Sequence, residues 1–250
     1  MRKAILSGLR QAVGIRFLLA VIGVVVMLFV ANIDNMLRIY QGTIQIFSGY
    51  HTDFILFGLR SDTIAPFVPI FAALPFAAGY VDDVKSKFVR YYIVRSGRKT
   101  YLFSRAAVCF LSGGLVLAVG TLLGWSVSAL VFLPMEQPRS VQPYAAQQVL
   151  QITGHLFLSG GLWAMVGMAL STVMESKYIS YAIPFVLYYL LVILYERYFP
   201  EAYMICPREW YDPSAIWKTG PVDPAALVIG LTAVFVALYI FQAGRRLKQL

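Results

Sequence analysis

From Ala106 to Met135 the chain runs for 30 residues without one charged side chain. Wholly helical, such a run is about 45 Å long, against a bilayer hydrocarbon core of about 30 Å. It is too long to stand upright as one span and too short for a hairpin of two. A helix that tilts, or that extends past the bilayer, is expected. Five further apolar runs accompany it, at 17–33, 63–81, 152–174, 178–195 and 224–244. In lipid the backbone must satisfy its own polar groups, which restricts runs of this length to helices. Composition agrees: 13% of residues are charged, where soluble domains carry about 25%. Mean hydropathy is +0.70. The expected fold is all-α, a single polytopic transmembrane domain over residues 1–250 with six spans.

The first 16 residues carry four basic side chains and no acid. Ile5, Leu9, Ala12 and Val13 share a helical face there, so 2–16 reads as an interfacial helix lying along the membrane. Asn32-Ile33-Asp34-Asn35 follows the first apolar run where a cleaved leader would have small residues, so a retained span is expected. Residues 34–62 form a polar-to-mixed connection with an aromatic middle. Pro66, Pro69 and Pro75 predict a kinked or partly broken second span, tolerated where neighbouring helices satisfy the freed carbonyls. Glu175-Ser176-Lys177 is a three-residue turn, which makes the fourth and fifth spans antiparallel neighbours.

Six spans put both termini on one side. That side holds 15 Lys and Arg against three acids, and the other side six against nine. Every connection is short enough for the positive-inside rule, so the termini are expected in the cytoplasm of a cell whose plasma membrane the chain crosses. The net charge of +9 is thereby a topology signal, and nucleic acid is not needed to explain it.

Chemistry-bearing patterns are sparse. Two cysteines, Cys109 and Cys206, are too few for a metal cluster or a disulfide framework. Leu111-Ser112-Gly113-Gly114 and Leu158-Ser159-Gly160-Gly161 spell the start of the ABC ATPase signature, but both sit in uncharged spans out of reach of nucleotide. Small residues that let helices approach closely are the better reading, as they are for Gly120-x-x-x-Gly124. Ser96-Gly97-Arg98-Lys99-Thr100 lacks the glycines of a phosphate loop. No charged residue falls inside the spans so drawn, which argues against ion-driven transport. His155 sits alone at a span mouth, where a solvated imidazole is the ordinary case. There is no His-Glu-x-x-His and no Gly-x-Ser-x-Gly. No catalytic residue and no metal site is expected, and substrate-binding residues are not assigned.

Between the second and third spans lies Asp82–Arg105, with seven Lys and Arg behind the pair Asp82-Asp83. Acids suit a helix N-terminus, and Val84, Phe88, Tyr91 and Tyr92 fall on one helical face. A basic helix with aromatic teeth can lie on anionic lipid or dock a soluble partner. The acidic pair and the aromatic face favour docking.

The same stretch resembles the permease subunits of ABC exporters, in the branch that handles drugs, lantibiotics and polysaccharides. The matching residues are the acidic pair, then Lys87-Phe88-Val89-x-Tyr91-Tyr92, then Arg95-x-x-Arg98-Lys99-x-Tyr101-x-x-Ser104-Arg105. Glu175-Ser176-Lys177-Tyr178 followed by Ala182-Ile183-Pro184-Phe185 is also similar, as is the layout of the whole chain. The resemblance implies that 82–95 is a cytoplasmic coupling helix seated in a groove of a separate ABC ATPase. Phe88, Tyr91 and Tyr92 would fill apolar pockets there, with Asp82, Asp83, Lys87, Arg90 and Arg95 pairing at the rim. ATP and Mg would belong to the partner ATPase, this chain holding no cofactor. A second permease subunit, identical or related, would complete the pathway. In the outer connection Glu196–Asp223, Trp210, Tyr211 and Trp217 fit either a re-entrant lid over the pathway exit or an aromatic belt in the headgroups. The competing expectations are a non-transporting membrane scaffold or immunity-type protein, and an intramembrane enzyme. Polar residues within the spans are almost only Ser, Thr, Asn, Gln and Tyr, which disfavours the enzyme.

Overall fold

Two helices, Arg98–Phe132 and Ala145–Met174, form the centre on which most of the others pack. A computed structural model describes residues 2–43, 46–137, 145–214, 217 and 222–247. In chain order the helices are α1 Arg2–Ala12, α2 Ile15–Val30, α3 Ile33–Tyr40, α4 Tyr50–Arg60, α5 Phe67–Ala73, α6 Gly79–Lys85, α7 Phe88–Ser96, α8 Arg98–Phe132, α9 Ala145–Met174, α10 Lys177–Ile193 and α11 Pro224–Arg246. Among the described residues there is no strand, only an isolated bridge between Phe47 and Gln137. The all-α expectation holds. Four helices are long and apolar enough to cross a membrane: α8 with the 3₁₀ turn that follows it, α9, α10 with its terminal π turn, and α11. α1 and α2 pass the same test only as a pair bent by 60°.

The long uncharged run belongs to a helix longer than itself. α8 begins at Arg98, after Gly97 in a left-handed conformation (φ 77°), and ends in a 3₁₀ turn at Met135. The 106–135 boundary is thus corrected by more than two turns, and the basic residues 98–105 belong to the helix. α9 likewise starts at Ala145 instead of 152, because Gln147, Gln148 and Gln151 interrupt the apolar pattern without interrupting the helix. The run 63–81, expected as a second span, holds two short helices, α5 and the start of α6, separated by turns that include Pro75, where prolines remove the hydrogen bonds a continuous helix needs. α2 ends at Val30, and a separate helix, α3, starts at Ile33. α4 fills the stretch the sequence left unplaced, with Phe54 and Ile55 fully buried. α1 does not lie free on a surface: it packs on α8, and Ala12 is buried.

α8 and α9 run antiparallel with their two Leu-Ser-Gly-Gly stretches face to face. A β-carbon on Gly113 would lie 2.5 Å from the Ala164 Cβ and 2.7 Å from the Gly160 carbonyl oxygen. One on Gly160 would lie 2.7 Å from the Gly113 carbonyl oxygen. The two backbones touch, which is what small residues permit between helices in lipid. The α9–α10 turn passes through Glu175, at φ 53°, and α10 packs back on α9. Pro184 frees the Ser180 carbonyl one turn earlier, and Gly167 of α9 stands against that carbonyl.

Candidate functional site

Three places gather polar chemistry. The first, at the end of the bundle where Arg16, Lys177 and Arg246 lie, is centred on Asp82 and Asp83. α6 ends at Lys85 and the chain reverses at Lys87, whose φ is 59°. A non-glycine residue in that region is uncommon and breaks the helix there. The continuous helix expected over 82–95 is therefore two helices with a turn between them. Phe88 and Tyr91 remain exposed, at 45% and 73%. Tyr92 turns inward to meet Tyr101, ring centroids 5.3 Å apart, and Val89 is buried in its place. Lys87 is exposed. Arg90 and Arg95 lie in α7, their side chains outside the described part of the structure.

Asp83 was expected at a solvent rim and is instead buried, 3% exposed. Its carboxylate accepts from Tyr101 Oη at 2.8 Å and pairs with Arg105 Nη2 at 2.7 Å. Arg105 is equally buried and donates to Gln11 Oε1 of α1 at 2.9 Å. Its guanidinium also lies 5.2 Å from the Phe76 ring centroid, a cation–π geometry. A buried charged residue thus sits in the first turns of a helix long and apolar enough to cross a membrane, just before the uncharged run, with a carboxylate partner, aromatic rings and an amide around it. Asp82 pairs with Arg16 at 3.6 Å and with Lys177. Glu175 pairs with Arg246. Through these contacts α6 is tied to α2, α8 and α10, and the α9–α10 turn to α11. Beside the acidic pair a cleft of about 680 Å³ opens between Gln11, Asp82, Lys85, Phe88, Tyr91 and Lys177.

At the opposite end, the aromatic connection folds down onto the bundle. Trp210, Tyr211 and Trp217 are all buried. Trp210 stacks on Trp163 of α9 at 5.7 Å and donates its indole N–H to the Met204 carbonyl at 2.8 Å. Trp217 donates to Glu209 at 2.9 Å. Arg60 pairs with Asp212 at 3.0 Å, and Arg208 pairs with Asp62. These pairs fasten the connection to the end of α4. Burial pushes the Tyr211 hydroxyl above its ordinary range, with Tyr188 adding to the effect.

The third place joins α4 to the end of α8. Glu136 accepts from the backbone N–H of Gly49 at 2.9 Å and of His51 at 3.0 Å, and its Oε1 lies 2.7 Å from His51 Nδ1. A carboxylate from a distant part of the chain so caps the N-terminus of α4, where two orphan donors and the helix dipole favour negative charge. Burial alone would raise the Glu136 carboxyl, but these hydrogen bonds outweigh it and hold the group below the usual range. Its contribution to stability is present above the ordinary glutamate value of about 4.3 and is lost as pH falls through the depressed value. Glu136→Ala is expected to cost about 1–2 kcal/mol and to flatten the acid limb of a thermal-stability profile. An unchanged acid limb would show that the cap contributes nothing.

No group of three or more His, Cys, Asp or Glu able to hold a metal ion occurs among the described residues. Among the described residues His155 bonds only the Gln151 carbonyl of its own helix. Cys109 is buried and donates to the Ala164 carbonyl, 3.3 Å away. No family model, no curated protein and no solved structure matches this chain.

Proposed function

We propose that this chain is the membrane-spanning permease half of an ATP-driven exporter, working with a separate cytoplasmic ABC ATPase that holds the ATP and Mg. In this reading there are six spans: α2, the broken pair α5–α6, α8, α9, α10 and α11. Both termini and α7 face the cytoplasm, and a second permease subunit, identical or related, completes the pathway in a plasma membrane. The observation that carries the reading is the attachment of α6–α7. A short helix exposing Phe88 and Tyr91 adjoins a hub whose acids bind α2, α8 and α10. A protein that docked on the exposed aromatics would pull on three spanning elements at once, as rocking of a helical bundle by a nucleotide-driven partner requires. A helix merely resting on anionic lipid needs basic residues and no such hub. Trp210, Tyr211 and Trp217 form the lid at the outer end, since all three are buried and Trp210 stacks on Trp163 of α9, where the rings of a headgroup belt would face lipid.

The test is the double variant Phe88→Ala, Tyr91→Ala. Tyr91 is mostly exposed and Phe88 about half so, so insertion should be unchanged and thermal stability should fall by no more than about 1 kcal/mol. Co-purification of the ATPase should fall at least about tenfold, as the loss of two aromatic anchors predicts. Recovery of the ATPase in wild-type amount would refute the assignment of α7.

A further inference from the structure

α10 and α11 both pack on α9 but little on each other, and a groove of about 360 Å³ remains between them. Trp163 of α9 lies in its floor and Leu191 of α10 in one wall. Leu227, Leu231 and Phe235 of α11 form the other wall, with Met204 and Trp210 of the aromatic lid above. From Leu227 to Phe235 the groove follows α11 for about 12 Å. No lining residue carries a charge, a hydroxyl or an amide side chain. Leu190 and Val234, each next in sequence to a wall residue, are exposed, so in a membrane the groove opens onto lipid.

One polar group of the lining is unused. The Trp210 N–H donates to the Met204 carbonyl, but Trp163 is 1% exposed and its indole N–H has no acceptor among the described residues. A buried donor without a partner is costly. Water is a poor occupant, because it needs about two to four polar partners and the lining side chains offer this one N–H. A helix of a second copy, about 10 Å across, would need about twice the volume over the same 12 Å. A phospholipid chain brings no acceptor to the right depth. Trp163 stands 11 residues from the Met174 end of α9 and 18 from the Ala145 end, about 16 and 27 Å along the axis. Phospholipid ester oxygens lie at the edge of the hydrocarbon core, about 15 Å from its midplane. A short molecule free to leave the headgroup layer can carry an oxygen that deep.

We infer that the groove binds an uncharged single-chain compound, its alkyl chain along α11 between Leu191 and Leu231 and a hydroxyl or ester oxygen accepting from the Trp163 N–H. The volume is in the range of small-molecule sites, roughly 300–1,000 Å³. The inference names the substrate class of the proposed exporter and rests on that reading for its purpose, but binding needs neither ATP nor a partner. Failure of the site and failure of the export reading are therefore separable: the first is a matter of ligand binding to this chain alone, the second of an absent ATPase.

The test uses the purified full chain in phosphatidylcholine nanodiscs and two twelve-carbon probes brominated at mid-chain, an alcohol and the matching hydrocarbon, read by tryptophan quenching. Compared by mole fraction in the disc, the alcohol should quench saturably and about fivefold more tightly than the hydrocarbon, as one net hydrogen bond predicts. Trp163→Phe, which leaves Trp210 to report, should remove that preference. Leu191→Phe with Leu231→Phe fills the groove and should weaken the alcohol at least about tenfold. Leu190→Phe with Val234→Phe, on the exposed faces of the same two helices, should leave it unchanged. Equal affinity for the two probes in the wild type, or the same loss from both double variants, would overturn the inference. So would an absence of saturable quenching by the alcohol. In that case, discs of brominated phosphatidylcholine that quench the wild type more than the filled variant would show that an ordinary lipid chain occupies the groove.

Discussion

Arg105→Ala should destabilise the protein by about 3–5 kcal/mol, the cost of leaving one member of a buried ion pair without its partner. Asp83, 3% exposed, would keep only the Tyr101 hydroxyl as donor, and α1 would lose the Gln11 contact that ties it to α8. Desolvation of both charges means that the pair need not be a net gain over hydrocarbon. The triple change Asp83→Leu, Tyr101→Phe, Arg105→Met removes the ion pair and its hydroxyl donor at once, leaving only the exposed Gln11 amide, and should recover most of the loss. Thermal unfolding in detergent reads both outcomes. A cost below about 1 kcal/mol for Arg105→Ala would mean that the pair behaves as an exposed one does. In the proposed exporter the triple variant separates stability from transmission, because it restores packing while removing the charge link between α6 and α8. It should melt near wild type and still fail to transmit ATPase closure.

Gly113→Val should be nearly as damaging, for the opposite reason. Its new atoms meet backbone and a β-carbon, the Gly160 carbonyl oxygen at 2.7 Å and the Ala164 Cβ at 2.5 Å, and neither can swing aside. Overpacking of this kind costs about 1–3 kcal/mol and more where the backbone must move. Here it would part the two most extensively packed helices of the bundle. Gly230→Ala on α11 is the matched control, since a β-carbon there meets nothing within 4 Å. It should be neutral or slightly stabilising through helix propensity. Melting temperatures of the two variants in one detergent test this. Equal values would show that α8 and α9 do not touch as described.

The apolar runs were readable because charge is so costly in lipid that its absence marks a span. The ends of α8 and α9 were not. Glutamine at 147, 148 and 151 is a good helix former that carries no hydrophobic signal, and Arg98 and Lys99 look like loop residues until the helix is seen to begin at them. Spacing announced the closeness of Leu-Ser-Gly-Gly residues to a neighbouring helix, but not that each copy packs on the other. The burial of Asp83 had no sequence signature either. Its partner lies 22 residues on, in a stretch where seven cations compete for two acids, and only the turn at Lys87 decides which of them turns inward. Trp210 could have been a belt or a lid on composition alone, and nothing in the sequence says that its ring stacks on Trp163. Glu136 was one of 12 acids in the chain. Nothing in its neighbourhood says that it caps a helix begun 86 residues earlier.

The central claim, that this chain works as half of an ATP-driven machine, is tested most directly by purifying the tagged full-length protein from its native membrane in a mild detergent and identifying what comes with it by mass. The account predicts an ATPase of the ABC class in stoichiometric amount, lost when Phe88 and Tyr91 are both alanine. A sample free of any such ATPase, under conditions that keep other membrane complexes intact, would contradict it and favour a protein that binds its partner without transport.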